Sequence, residues 1–267
     1  MESSPRAKKS LGQHFLRHES ICLRIAALLR ATSADSILEI GPGPGALTRA
    51  LEAGPHARLL LIEKDSHWAA ERQRLAAPGT QAVLADALRF DWRRISPQSP
   101  WMVIGNLPYN VASPLIWDIL SRAAGLVRAA FMVQKEVGQR LAASPDSRHY
   151  GALSVWTQSF AAPRLEFVVG PGAFSPPPKV DSAVLSFEPL PPEARVRHPE
   201  ALKRLLHVTF QQRRKQLGGI FRRGGLPFML EGLEECGLSP NLRPEALSVA
   251  DFGRLSSFLA RQLDNTI

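Results

Sequence analysis

The chain has 267 residues, with 33 Lys and Arg against 24 Asp and Glu for a formal charge of +9, and 45% of its residues are apolar. That length buries a full core and allows one large domain plus a small one, while no apolar window approaches the roughly 20 residues of a membrane span. The positive excess favours a polyanionic partner. Cys22 and Cys236, with no Cys or His at metal-ligand spacing, exclude a disulfide framework or a metal site and read as reduced packing residues.

In chain order, Met1–Ser10 carries Arg6, Lys8 and Lys9 but no apolar core of a secretory signal, so a cytoplasmic protein is expected. Apolar and β-branched runs then alternate with amphipathic stretches, the pattern of βαβ units and a mainly parallel sheet. Strands are predicted at 36–40, 59–63, 81–85, 102–105, 130–133, 165–169 and 183–188, seven in all. Helices are predicted at 20–31, 45–53, 66–76, 112–122, 135–143 and 151–160, the third capped by Asp65. The last two strands are joined by a short Pro- and Gly-rich stretch without helical period, which favours antiparallel pairing over a crossover. Residues 189–193, Pro-Leu-Pro-Pro-Glu, have a linker composition, after which only helical periods remain, at 200–211, 228–236 and 244–263. The division expected is therefore 1–194 and an all-helical 195–267.

After the first predicted strand comes Glu39-Ile40-Gly41-Pro42-Gly43-Pro44-Gly45 and then a helix. Glycines let the backbone turn tightly and approach a ligand at the carboxyl edge of the sheet. Here the spacing is G-x-G-x-G, and Pro42 and Pro44 remove two amide donors that a pyrophosphate would use, so a ligand without phosphates fits better. Glu63 ends the second strand, where a carboxylate can accept both hydroxyls of a ribose. Asp86 follows the third, within reach of an adenine amine. Read alone, each is an ordinary strand-end acid; together with the loop they resemble the Rossmann-like, class I methyltransferases that use S-adenosylmethionine (SAM). The resemblance implies that the glycine loop faces the methionine part, Glu63 holds the ribose and Asp86 contacts the adenine.

The fourth strand runs into Asn106-Leu107-Pro108-Tyr109 at the same edge. An aromatic amine is a poor nucleophile because its lone pair is delocalised into the ring. The Asn106 side-chain oxygen and the Leu107 carbonyl can each accept one of its N–H bonds and leave the lone pair aimed at an electrophile, while Pro108 fixes the turn and Tyr109 offers a stacking face. An activated methyl donor leaves the protein mainly positioning and electrostatics to supply. The tetrapeptide is shared by methyltransferases acting on adenine in DNA, adenine in rRNA and, in a variant, glutamine. It therefore identifies a planar NH2 acceptor rather than a substrate.

Five ordered segments narrow the choice: Lys9-Ser10-Leu11-Gly12-Gln13-His14-Phe15-Leu16, Gly105–Tyr109, Phe131-Met132-Val133-Gln134-Lys135-Glu136, Phe174-Ser175-Pro176-Pro177-Pro178-Lys179-Val180-Asp181 and Phe210-Gln211-Gln212-Arg213-Arg214-Lys215. They resemble the bacterial small-subunit (16S) rRNA adenine N6,N6-dimethyltransferases. That resemblance implies dimethylation of two adjacent adenosines in the 3′-terminal hairpin of 16S rRNA during maturation of the 30S subunit. It also implies SAM contacts at His14, Leu16, Gly41, Glu63, Asp86 and Asn106, and a Phe174 ring stacked on the target base opposite Tyr109. Many members carry Asn where this chain has His14. Neither metal nor membrane is implied, and a monomer is the default.

Lys203 to Arg223 holds seven basic and no acidic residues, which suits phosphate contact near Gly218 and Gly219. Arg213, Arg214, Lys215, Arg222 and Arg223 are the expected RNA contacts, with Lys8, Lys9 and Arg17 adding to them. Two alternatives are a 23S rRNA adenine methyltransferase of the macrolide-resistance type and a ribosome-assembly factor with little catalysis.

Overall fold

The structure, a computed structural model, describes residues 13–264. The expected contributions of Lys8 and Lys9, and the part of the first motif before Gln13, lie outside the described residues. The chain forms two compact units, one from the residues up to Gly138 with Pro163–Pro189, the other from Gln139–Ala162 with the residues from Leu190 onward. The chain thus leaves the first unit at Pro189, beside the expected linker, and an earlier segment containing a helix belongs with the C-terminal helices.

In the first unit the strands are β1 (Phe15–Leu16), β2 (Ser36–Ile40), β3 (Arg58–Glu63), β4 (Thr80–Leu84), β5 (Trp101–Asn106), β6 (Leu126–Gln134), β7 (Ala161–Val169), β8 (Phe174–Ser175) and β9 (Ser182–Pro189). Seven of them form one sheet in the order β4-β3-β2-β5-β6-β9-β7, while β1 and β8 pair with each other as a separate two-stranded ribbon. β4, β3, β2, β5 and β6 run parallel, and β9 lies antiparallel to β6 with Ala129 opposite Phe187 and Gln134 opposite Ser182. All five residues of β2 are buried, as expected of a central parallel strand covered on both faces. The Rossmann-like α/β class expected from the alternation of patterns is the class observed.

α1 (Glu19–Ala27) and α2 (Ala46–Glu52) pack together on the sheet, with Ile25, Leu29, Leu47 and Leu51 meeting Ile37, Leu61, Ile104 and Met132 in the core. α3 (Ser66–Leu75) begins as the Asp65 carboxylate accepts the His67 amide at 3.1 Å, the cap read from sequence. α4 (Ala112–Arg122) buries Leu115, Ile116, Ile119 and Leu120 at helical spacing. α5 (Lys135–Leu141) carries the chain out of this unit.

The second unit comprises α6 (Ala152–Gln158), α7 (Pro199–Phe210), α8 (Leu217–Arg223), α9 (Met229–Glu235) and α10 (Val249–Asp264). α10 packs on α7 and α9, and the Phe210 and Phe252 rings stack 5.6 Å apart. α8 was not among the expected helices, because glycines at its second and third positions weaken the pattern. Gly218 serves packing there: its amide donates to the Pro240 carbonyl at 2.9 Å, and a Cβ would lie 3.1 Å from the Pro240 side chain.

Candidate active site

The strand-to-helix loop after β2 turns through three residues of positive φ, Gly41, Gly43 and Gly45. At Gly43 a side chain would run into the Phe15 ring at 2.9 Å, and at Gly45 into the buried Arg72 guanidinium at 2.0 Å. These glycines are therefore required twice over, for left-handed backbone and for close approach. The Gly43 amide donates to Glu63 Oε2 at 3.0 Å and the Asp65 amide to Oε1 at 2.8 Å. Glu63 is only 5% exposed. Burial pushes its carboxyl above the ordinary range, while the amides of Asp65, Gly43 and Lys64 pull against that. The carboxylate still keeps acceptor capacity for a ligand hydroxyl.

Asp86 follows β4. Its carboxylate meets Lys64 Nζ at 2.9 Å and accepts the Leu88 amide at 3.1 Å, and the Lys64 hydrogen bond holds it below the usual carboxylate range. Asp86 is therefore ionised and acceptor-only near neutral pH. Lys64 was not anticipated; its only signal in sequence was a cation next to Glu63.

At the end of β5, Asn106 Nδ2 donates to the His14 carbonyl at 2.8 Å. Only an amide nitrogen can make that bond, so Oδ1 is the atom left as acceptor. The Leu107 amide donates to Met132 O at 3.0 Å, and the Pro108 carbonyl is taken by the amides of Val111 and Ala112 at the start of α4. Among the described residues the Leu107 carbonyl has no hydrogen-bond partner. Among the described residues the two acceptors expected to act together thus have no partner. Tyr109 shares a 2.7 Å hydrogen bond with Ser182 Oγ, and burial pushes its phenol above its ordinary value.

The N-terminal motif reaches this edge through β1, whose residues Phe15 and Leu16 pair with Ser175 and Phe174 of β8. His14 is held by a 2.8 Å bond from Nδ1–H to the Pro176 carbonyl, and its ring stacks on Tyr109 with centroids 5.5 Å apart. That bond selects the Nδ1–H tautomer for the neutral ring. Phe15 packs edge-on against Trp68. Two expected site residues have their side chains in the core. Phe174 is only 4% exposed and lies in the core with Leu16, Ile25 and Val169, so the ring facing Tyr109 is that of His14. The Leu16 side chain is likewise in the core, 6% exposed. Antiparallel pairing of β1 with β8 turns both side chains inward.

Phe15, Gly41, Glu63, Asp86, Asn106 and Tyr109 all line one open cleft at the carboxyl edge of the sheet. His14 and Leu107 also line it.

The chain matches the family model described as ribosomal RNA adenine dimethylase over residues 5–261. The chain belongs to this family. Ribosomal RNA small subunit methyltransferase A of Nitratidesulfovibrio vulgaris (strain DP4) is 56% identical over 266 residues, covering 96% of this chain and 97% of that protein. The protein of the same name from Geobacter metallireducens is 40% identical over 261 residues, covering 94% of each. A dimethyladenosine transferase structure from Plasmodium falciparum superposes with a TM-score of 0.80 at 24% identity over 93% of this chain and 98% of that one, a likeness of fold. This member of the rRNA adenine dimethylase family is accordingly a SAM-dependent methyltransferase whose substrate is ribosomal RNA. The cleft fits that cofactor: it offers acceptors at Glu63 and Asp86 and a glycine-walled approach at Gly43, and prolines in the loop leave few amides for phosphate.

In the helical unit, Arg214, Lys215, Arg222 and Arg223 are exposed. Arg213 is engaged by Glu245 at 3.6 Å and by the Arg148 carbonyl at 3.4 Å, a structural tie within the helical unit. No helix among the described residues is long and apolar enough to cross a membrane.

Proposed function

We propose that this enzyme dimethylates the N6 amines of two adjacent adenosines in the 3′-terminal hairpin of 16S rRNA, acting as a cytoplasmic monomer on immature 30S subunits. The observation that carries the chemistry of this reading, transfer to a planar amine, is the polarity of the Asn106 amide, whose donor is spent on His14 and whose acceptor, like the Leu107 carbonyl, has no partner among the described residues; membership of the rRNA family supports the substrate. Gly41, Glu63 and Asp86 hold the cofactor, with Glu63 accepting from the ribose and Asp86 from the adenine; His14 bounds the cleft beside them. When bound, SAM supplies a methyl group already activated on a sulfonium. Asn106 Oδ1 and Leu107 O accept from the target amine and turn its lone pair toward the cleft. Pro108 holds the turn, and Tyr109 gives the base a face on which to stack; a flipped or unpaired base gains about 1–3 kcal/mol from such a contact. Partial positive charge on the amine is eased by the two oxygens and the aromatic face. Arg214, Lys215, Arg222 and Arg223 contact RNA phosphates, with Arg213 as a partial contributor.

Incubation with labelled SAM and immature 30S subunits, followed by digestion of the RNA, is expected to yield dimethyladenosine from the 3′ end of 16S rRNA. Absence of label there overturns the proposal, and label in 23S rRNA transfers the enzyme to the macrolide-resistance reaction. Binding of the subunit without binding of SAM in calorimetry would make it an assembly factor.

A further inference from the structure

The ends of two motif segments, Gln134-Lys135 and Asp181 with the adjoining Ser182, take no part in the reaction, yet they meet immediately behind Tyr109. Gln134 ends β6 opposite Ser182, which begins β9. One residue further out, the Lys135 amide donates to the Asp181 carbonyl at 3.0 Å, and Lys135 Nζ meets the Asp181 carboxylate at 3.1 Å. Ser182 is thus clamped at the first rung of an antiparallel ladder inside the sheet. Its residue is 0% exposed, and among the described residues the Tyr109 phenol is the hydrogen-bond partner of its hydroxyl, at 2.7 Å. A fully buried hydroxyl with one partner is a commitment, because losing that partner leaves a desolvated polar group. Tyr109 itself is only part-buried and lines the cleft, so its ring is fixed by what holds its ends. The phenol end is tied to the rigid sheet, and one face rests on the His14 ring.

We infer that Ser182 is a positioning residue: through its hydrogen bond to the Tyr109 phenol it sets the plane of the ring on which the target adenine stacks. The inference rests on the reading of Tyr109 as that stacking face. It assigns to the two otherwise unused motif segments one mechanical task, the fixing of Ser182. Tyrosine at this position is then needed for its hydroxyl as well as for its ring, and Tyr109→Phe keeps the ring while releasing its anchor.

The test is a double-mutant cycle on the full-length enzyme with Ser182→Ala, Tyr109→Phe and the combination, measuring kcat/KM for transfer to immature 30S subunits and SAM affinity by calorimetry. Each single change is expected to lower kcat/KM about tenfold, the worth of one such hydrogen bond, with SAM affinity unchanged. The double variant is expected to lose no more than the larger single loss, because both changes break the same bond. Multiplicative losses, near a hundredfold in the double variant, overturn the inference, as does a Tyr109→Phe enzyme at wild-type rate. The Tyr109→Phe result stands even if Ser182→Ala fails to fold. If the wild-type enzyme methylates 16S rRNA and the cycle is multiplicative, only the inference falls; if the wild type transfers nothing to 16S rRNA, the proposed function falls and takes the inference with it.

Discussion

Asn106→Ala separates binding from chemistry. Among the described residues the side chain makes one hydrogen bond, Nδ2 to His14 O at 2.8 Å, and Asn106 lines the cleft. Losing the first costs about 0.5–1.5 kcal/mol of stability, a small fall in the unfolding midpoint. Losing the second removes a preorganised partner for charge that develops on the amine, which is worth about 2.7–4 kcal/mol, or about a hundredfold to a thousandfold in kcat. The Leu107 carbonyl and Tyr109 are untouched, so RNA affinity should change little. The measurement is single-turnover methyl transfer to immature 30S subunits, with SAM binding followed by calorimetry. Asn106→Asp is the companion: it keeps an acceptor but sets a second oxygen against the His14 carbonyl, and should fall between the wild type and Asn106→Ala. An Asn106→Ala enzyme within about fivefold of the wild-type kcat refutes the two-acceptor argument.

Further outcomes follow from other parts of the structure. Burial first, and then Glu63, push the Glu39 carboxyl from 4.5 up to about 8 against the Thr48 hydrogen bond at 2.7 Å. The native state then keeps a proton that the unfolded chain gives up, so this group makes stability fall as pH rises from about 4.5 to about 8. Glu39→Gln, which mimics the neutral acid, should therefore gain over the wild type by an amount growing to a few kcal/mol, roughly, at pH 8.5, while matching it near pH 5; a pH-independent difference in denaturant unfolding counts against the burial argument. Gly43→Ala places a Cβ 2.9 Å from the Phe15 ring at a φ of +50°, and should lower thermal stability by about 1–2 kcal/mol and weaken SAM binding in calorimetry; unchanged binding would mean that the loop does not approach the cofactor. Reversing the charge of Arg214, Lys215, Arg222 or Arg223 should weaken RNA binding with a loss of up to about one unit in the salt slope for each phosphate contact removed. Arg213→Ala should add a stability cost of about 0–1 kcal/mol through its Glu245 pair, seen as a lower melting temperature that the other four changes do not produce.

The sheet and the glycine loop were legible because their signals are local. A buried parallel strand such as β2 is a short unbroken apolar run, and three alternating glycines after it have few other uses. Asp65 as a cap and Glu63 at a strand end follow from neighbours in sequence. Less legible were elements too short or too glycine-rich to carry a period, β1, β8 and α8, and the membership of Gln139–Ala162 in the helical unit. Phe174 shows the limit well. An aromatic beside three prolines fits a surface clamp as readily as a core position, and only its pairing with Leu16 decides that it points inward.

The sequence by itself therefore determined the class of sheet, the edge at which a ligand meets it and the kinds of groups gathered there: a glycine loop, two carboxylates and an Asn-Leu-Pro-Tyr turn. These depend on periodicity and on residues adjacent in the chain. Only the tertiary structure decided that His14 rather than Phe174 faces Tyr109, that the His14 carbonyl orients the Asn106 amide, and that Ser182 anchors the phenol. Those contacts join residues far apart in the chain through register and strand pairing, and a shift of one residue in either would turn every side chain involved to the opposite face.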